Sequence, residues 1–242
     1  MNRLTLTFFL AFSISLSAKL QAQSTLQQND EVFQRCQKII FSDELSKATV
    51  GKADSNWETL QGNQQVQTAE GIPALSFNGN GFTVLKLKSL GESYLRGEFT
   101  LEFDAQKSNT VNWGLDSVLL IYLNNADNKS QAMIGVSSNG AVYYYPDTKF
   151  YPDLQAGNSS PDVKRDYSLF SKPNKNSVWA HVAVSYSEMH LRVYIDYVLC
   201  LNITNTEMSP ANFLIGIKDS DTHTVSIKNF KLAAHEPSDE VK

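Results

Sequence analysis

Two runs, Trp179–Tyr186 (WAHVAVSY) and Leu191–Ile203 (LRVYIDYVLCLNI), stand either side of the short polar stretch Ser187–His190 (SEMH). In the first, Val182, Val184 and Tyr186 recur at every second position. Side chains at i and i+2 of a strand share a face, so this spacing puts the three on one side of a half-buried strand. The runs carry valine and tyrosine, and the second also isoleucine, all of which suit a pleated surface. Two such runs joined by a few polar residues read as an antiparallel hairpin.

The same rhythm extends in both directions. Upstream lie KIIF, ALSF, FTVLKLKSL, FTLEFDA, SVLLIYL, AMIGV and AVYYY; downstream lie FLIGI and VSIKNFKLA. Phe99, Leu101 and Phe103 share a face, as do Val225, Ile227 and, after one irregularity, Phe230. Asn139-Gly140 between AMIGV and AVYYY is a tight-turn signal, because both residues tolerate positive φ. Roughly ten strands without alternating helices predict an all-β fold, an antiparallel two-sheet sandwich. One short helix is expected within LQQNDEVFQRCQK, capped by Asn29 or Asp30. Between Tyr145 and Trp179 a proline- and asparagine-rich stretch breaks the strand rhythm and reads as a long loop.

The chain has 242 residues, 42% of them hydrophobic and 19% charged, with a formal net charge of −4. That balance suits one sizeable core and argues against nucleic acid as partner. Arg3, an apolar run from Leu4 to Ala18 and a small residue at Ala22 have the layout of a secretory signal peptide. The expected division is a signal peptide over 1–22, an N-terminal extension over 23–38, the sandwich over 39–234 and a tail over 235–242. Export to the periplasm, the cell surface or the medium follows, with no transmembrane span in the mature chain. In an oxidising compartment the only two cysteines, Cys36 and Cys200, are expected to form a disulfide.

With its opening tryptophan, its His-Val-Ala and its Arg-Val-Tyr-Ile-Asp, the hairpin resembles paired strands of the concanavalin A-like lectin/glucanase sandwiches, above all the laminin-G-like ones. FSDELSKATVGKADSNWETLQG, FTLEFDA and the closing VSIKNFKLA are similar to the lectin-like domain of outer-membrane-protein-A-like proteins of the Bacteroidota. The likeness covers about residues 39–234. It implies a jelly-roll sandwich; the peptidoglycan-binding domain that follows in those proteins is not expected here.

Glu102 and Asp104 in FTLEFDAQ pose the question of catalysis. Two acids on one strand face are what retaining glycosidases use. Laminarinase-like members of the superfamily carry Glu-x-Asp with a further glutamate shortly after, where this chain has Gln106 and Lys107. The pair therefore reads as the wet side of a strand. His181, His190, His223 and His235 lack metal or triad spacing and read as surface or packing residues. No cofactor is expected, the alternative being a calcium site at Asp219 and Asp221. Sugar binding needs an aromatic platform beside polar groups, and Trp113, Asp116, Tyr143 and Tyr145 are the expected ligand-binding residues. The sequence thus reads as an exported, non-catalytic, lectin-like module for a polysaccharide, glycoconjugate or cell-envelope surface. Its alternatives are a divergent glycoside hydrolase or polysaccharide lyase, and a structural module docking onto another envelope protein.

Overall fold

The structure, a computed structural model, describes residues 32–77, 81–107, 117–137, 142–146, 179–219 and 224–234. These form fourteen strands and no helix. In chain order they are β1 (Lys38–Asp43), β2 (Trp57–Gln61), β3 (Gln65–Ala69), β4 (Ile72–Phe77), β5 (Gly81–Leu87), β6 (Phe99–Lys107) and β7 (Ser117–Asn124). After these come β8 (Ser130–Ser137), β9 (Val142–Pro146), β10 (Ala180–Ser187), β11 (His190–Ile195), β12 (Val198–Ile203), β13 (Asn212–Asp219) and β14 (Val225–Ala234). WETLQ and QVQTA, which became β2 and β3, have too few apolar residues to stand out by alternation.

All pairings are antiparallel. One sheet, here called A, runs β12-β11-β10-β6-β14-β4-β3, with β1 also on β14; the other, B, runs β2-β5-β13-β7-β8-β9. The quoted hairpin is β10–β11, in register from Ser187↔His190 to Val182↔Ile195. Glu188 and Met189 at its tip have φ of 50° and 60°, the left-handed pair that a tight hairpin turn requires. The inner faces of both sheets meet in one apolar core that includes Phe99, Leu101, Phe103, Leu119, Ile121, Val182, Val184, Phe213 and Ile215. Alternation therefore does what it predicts on both sheets.

Strand β14 has two neighbours on one side. Val225–Ile227 pair with β4, and Phe230–Ala234 pair with β1. Against β6, Lys228 faces Asp104 and Lys231 faces Glu102, so β14 carries one extra residue, a β-bulge. Asn229 takes up the bulge at φ 55°. This is the irregularity visible in the sequence between Ile227 and Phe230. It turns Phe230 inward, where its ring stacks on Phe103 at 5.0 Å and meets Trp57 edge-on at 4.7 Å. Each such pair adds about 0.5–1.5 kcal/mol beyond area burial, so the strands are anchored firmly directly beneath the outer face of sheet A.

Cys36 and Cys200 are thiols, not the expected disulfide. Geometry explains it. Cys200 lies in the core between the sheets, with its thiol donating to the Val198 carbonyl at 3.3 Å. Cys36 lies over the outer face of sheet A, its N–H donating to Thr100 Oγ1 at 3.3 Å. A sheet and three strand spacings separate them, about 14 Å, whereas a bridge needs Cα atoms within about 7 Å. Burial pushes the Cys36 thiol up, and the nearby Glu98 charge adds to that.

Candidate functional site

The outer face of sheet A gathers the chemistry. Glu102 and Asp104 project there from β6, because Phe99, Leu101, Phe103 and Ala105 take the inner side. Register sets His181 of β10 directly opposite Asp104, and the small Ala183 opposite Glu102. His181 Nδ1–H donates to Asp104 Oδ1 at 2.9 Å, and its Nε2 lies 3.4 Å from Glu102 Oε2. From β14 the bulge residue Asn229 donates its amide N–H to Asp104 Oδ2 at 2.7 Å. The imidazole is thus held between two carboxylates.

A third element closes the cluster. Residues 32–37 are not helical, contrary to the sequence-based expectation; the rest of that expected helix lies outside the described residues. Instead the segment crosses sheet A. Phe33 packs edge-on against Tyr194 at 5.3 Å, and Arg35 grips Glu102 with two N–H groups, Nη2 reaching Oε2 at 2.7 Å. Tertiary partners for Phe33, Arg35 and Cys36 outweigh a weak local helical preference.

The reading of Glu102 and Asp104 as a wet strand face is therefore corrected. Glu102 is 1% exposed, and Asp104 is 22% exposed in its side chain. Burial pushes the Glu102 carboxyl up, yet the Arg35 and His181 hydrogen bonds and charges outweigh it and hold it at about 2. Burial likewise raises Asp104, and the bonds from His181 and Asn229 with the His181 and Lys228 charges bring it below its ordinary value. Hydrogen bonds to Asp104 and Glu102 raise His181 to about 9 against its burial, so it is an imidazolium at neutral pH. The two acids and His181, with Arg35, form an ion-pair network.

Aromatic rings flank the network. Asp196 and Tyr197 turn the chain from β11 to β12 with φ of 48° and 66°. Left-handed backbone at a bulky residue stores strain, and such strain clusters at functional sites. Asp196 Oδ1 accepts from the His181 N–H at 2.9 Å, which fixes the turn beside β10. The Tyr197 ring then stacks on the His181 ring at 4.7 Å while remaining 64% exposed. On the other side Trp179, just before β10, meets Lys228 of β14, whose ammonium sits 4.0 Å from the ring centroid. These residues belong to strands either side of β6, so their contact spans that strand.

The residues expected to bind ligand lie elsewhere. Trp113 and Asp116 fall outside the described residues, as does the long 147–178 stretch. Tyr143 and Tyr145 sit on the outer face of β9 in sheet B, rings 6.4 Å apart. Both are half-buried, and Tyr145 packs against an apolar patch of Phe82, Val84, Leu120, Tyr122, Met133 and Leu214. For the calcium alternative, Asp221 is outside the described residues, and among those residues no cluster of three or more metal-ligating side chains occurs. A cleft of about 500 Å³ opens between Ser42–Thr49 and Lys52–Asn56. Its buried Asp43 accepts from Leu45 N–H at 3.0 Å, Asn56 Nδ2 at 3.3 Å and Trp57 Nε1 at 3.3 Å, ties that join β1 to β2. Sequence reasoning missed His181, Arg35, Lys228 and Asn229. The signal for His181 was its place opposite the valines of a half-buried strand.

No protein-family model and no curated protein matches the sequence. Solved structures do match. The carbohydrate-binding module CBM66 from Bacillus subtilis is 16% identical, with a TM-score of 0.52 over 77% of this chain and 100% of its own. The carbohydrate recognition domain of Emp46p, metal-free form, is 17% identical, with a TM-score of 0.58 over 81% of this chain and 97% of its own. The exoplasmic/lumenal domain of VIP36, metal-free form, is 12% identical, with a TM-score of 0.58 over 79% and 90%. The Emp46p domain also has a potassium-bound form, and the VIP36 domain a Ca2+/Man-bound one. At such identities the likeness is one of fold. That fold is the concanavalin A-like antiparallel sandwich.

Proposed function

We propose that this chain is a non-catalytic, lectin-like module that binds a glycan on the outer face of sheet A. The observation that carries the reading is the pairing of aromatic rings with a fixed polar array. Tyr197 and Trp179 flank Asp104, His181 and Asn229, whose mutual hydrogen bonds hold them in place. Sugars are recognised by such a ring face beside pre-positioned polar groups. Carbohydrate recognition in the Emp46p domain and the CBM66 module supports the class of ligand. The half-buried Tyr143 and Tyr145 pair on sheet B is a second candidate platform, favoured by the adjacency of its rings.

Export suits this role, and the apolar N-terminus with Ala22 before Gln23 supports cleavage there. No helix of the described residues is long and apolar enough to cross a membrane. The test is affinity electrophoresis of the protein through gels that each contain one polysaccharide. Retardation by a polymer, competed by its soluble fragments and lost in Tyr197→Ala, supports sheet A; loss in Tyr143→Ala instead moves the site to sheet B. Unchanged migration across a broad panel directs the search to a protein partner on the envelope.

A further inference from the structure

We propose that Trp179, Lys228 and Gln106 form an anion subsite for a carboxylate- or sulfate-bearing glycan. The proposal rests on the glycan-binding reading of the same face and names the ligand class. Two nitrogens on this face are buried without a hydrogen-bond acceptor among the described residues: Trp179 Nε1 and Gln106 Nε2. They are neighbours in the sheet. Trp179 falls one position beyond the Ala180↔Ala105 pair, opposite Gln106. A buried donor left unmet is costly, so two side by side mark a place where an acceptor belongs.

Lys228 sharpens the argument. Its ammonium lies over the Trp179 ring, 8% of the residue is exposed, and it forms no ion pair within 4.0 Å among the described residues. The face has acids, but their oxygens are already engaged. Both Glu102 oxygens take Arg35, and the Asp104 oxygens take His181 and Asn229. What remains open is donor capacity. Tryptophan and lysine can only donate, and a neutral hydroxyl brings a hydrogen that needs an acceptor in turn. A carboxylate or sulfate supplies acceptors alone and adds a charge-assisted bond to lysine. The whole chain has a formal net charge of −4, so general attraction to a polyanion is not expected, and retention would have to come from a local site.

The test measures electrophoretic retardation of the protein in gels containing polygalacturonate, carrageenan, mannan or dextran. Polygalacturonate or carrageenan is expected to retard it, and Lys228→Gln and Trp179→Phe to weaken that affinity about tenfold or more. Trp179→Phe keeps an aromatic ring but removes the N–H with the five-membered half of the indole, and thermal unfolding of both variants shows whether each is folded. Retardation by polygalacturonate alone assigns the carboxylate; by carrageenan alone, the sulfate. Retardation by mannan or dextran only, or by an anionic polymer equally in wild type and both folded variants, overturns the subsite and leaves glycan binding standing. No retardation in any gel overturns both.

Discussion

The outer faces of the two sheets have the same relation to the core and opposite chemistry. On sheet A that face carries Thr100, Glu102, Asp104, Gln106, His181, Ser226 and Lys228, mostly buried, with Glu102, His181 and Asp104 bonded in a row. On sheet B it carries Phe82, Val84, Leu120, Tyr122, Met133 and Leu214. Gly216 of β13 lies among these rings, where an added Cβ would come within 2.6 Å of Phe82 Cζ. Apolar packing on B depends on shape alone. The network on A depends on charge, because buried polar groups cost free energy unless each finds a partner. The face that tolerates buried charge is the one proposed above for recognition.

Three measurements bear on that contrast. The largest effect is expected from Arg35→Ala, which leaves Glu102 buried with His181 as its remaining cation. Urea unfolding should show a loss of about 3 kcal/mol. A loss below about 1 kcal/mol would mean that the crossing segment does not hold the network.

Next is the pH dependence. His181 rises from 6.5 to about 9 on folding, so its contribution is complete below 6.5 and is lost as pH climbs through 9. Glu102 falls from 4.5 to about 2, so its contribution is complete above 4.5 and is lost as pH drops towards 2. Stability should therefore be flat between about 4.5 and 6.5 and decline on both sides. His181→Gln should remove the alkaline limb of the profile. An unaltered alkaline limb would separate His181 from that titration.

The smallest effect belongs to sheet B. Gly216→Ala should cost about 1–2 kcal/mol through crowding of Phe82 and Tyr122. That loss should be the same at pH 5 and pH 8, with glycan retention unchanged. A pH-dependent loss would blur the distinction between the faces.

Much of this architecture was legible in the residues. Alternation in FTLEFDA and HVAVSY located the core positions, and the break between Ile227 and Phe230 marked the bulge that presents Asn229. The site was not legible for a different reason. His181 meets Asp104 only because β10 pairs with β6 in one register, and alternation within a strand does not name its neighbour. Arg35 was hidden more completely. It lies in a stretch with no period, and its bond to Glu102 depends on a chain path that no local pattern encodes. Cysteine parity pointed to a bridge that the opposite placement of Cys36 and Cys200 does not allow.

The position of β14 also governs how the molecule assembles. The last strand of the sandwich is an interior one, bonded to β6 on one side and to β1 and β4 on the other. Ala234 pairs with both Lys38 and Phe99, contacts that span most of the sandwich sequence. Contacts so distant along the chain make folding slow, since each closes a long loop before it adds stability. Until residues 225–234 emerge from the ribosome, the open edges of β6 and β4 have no partner. Sheet A would then close late, around β14.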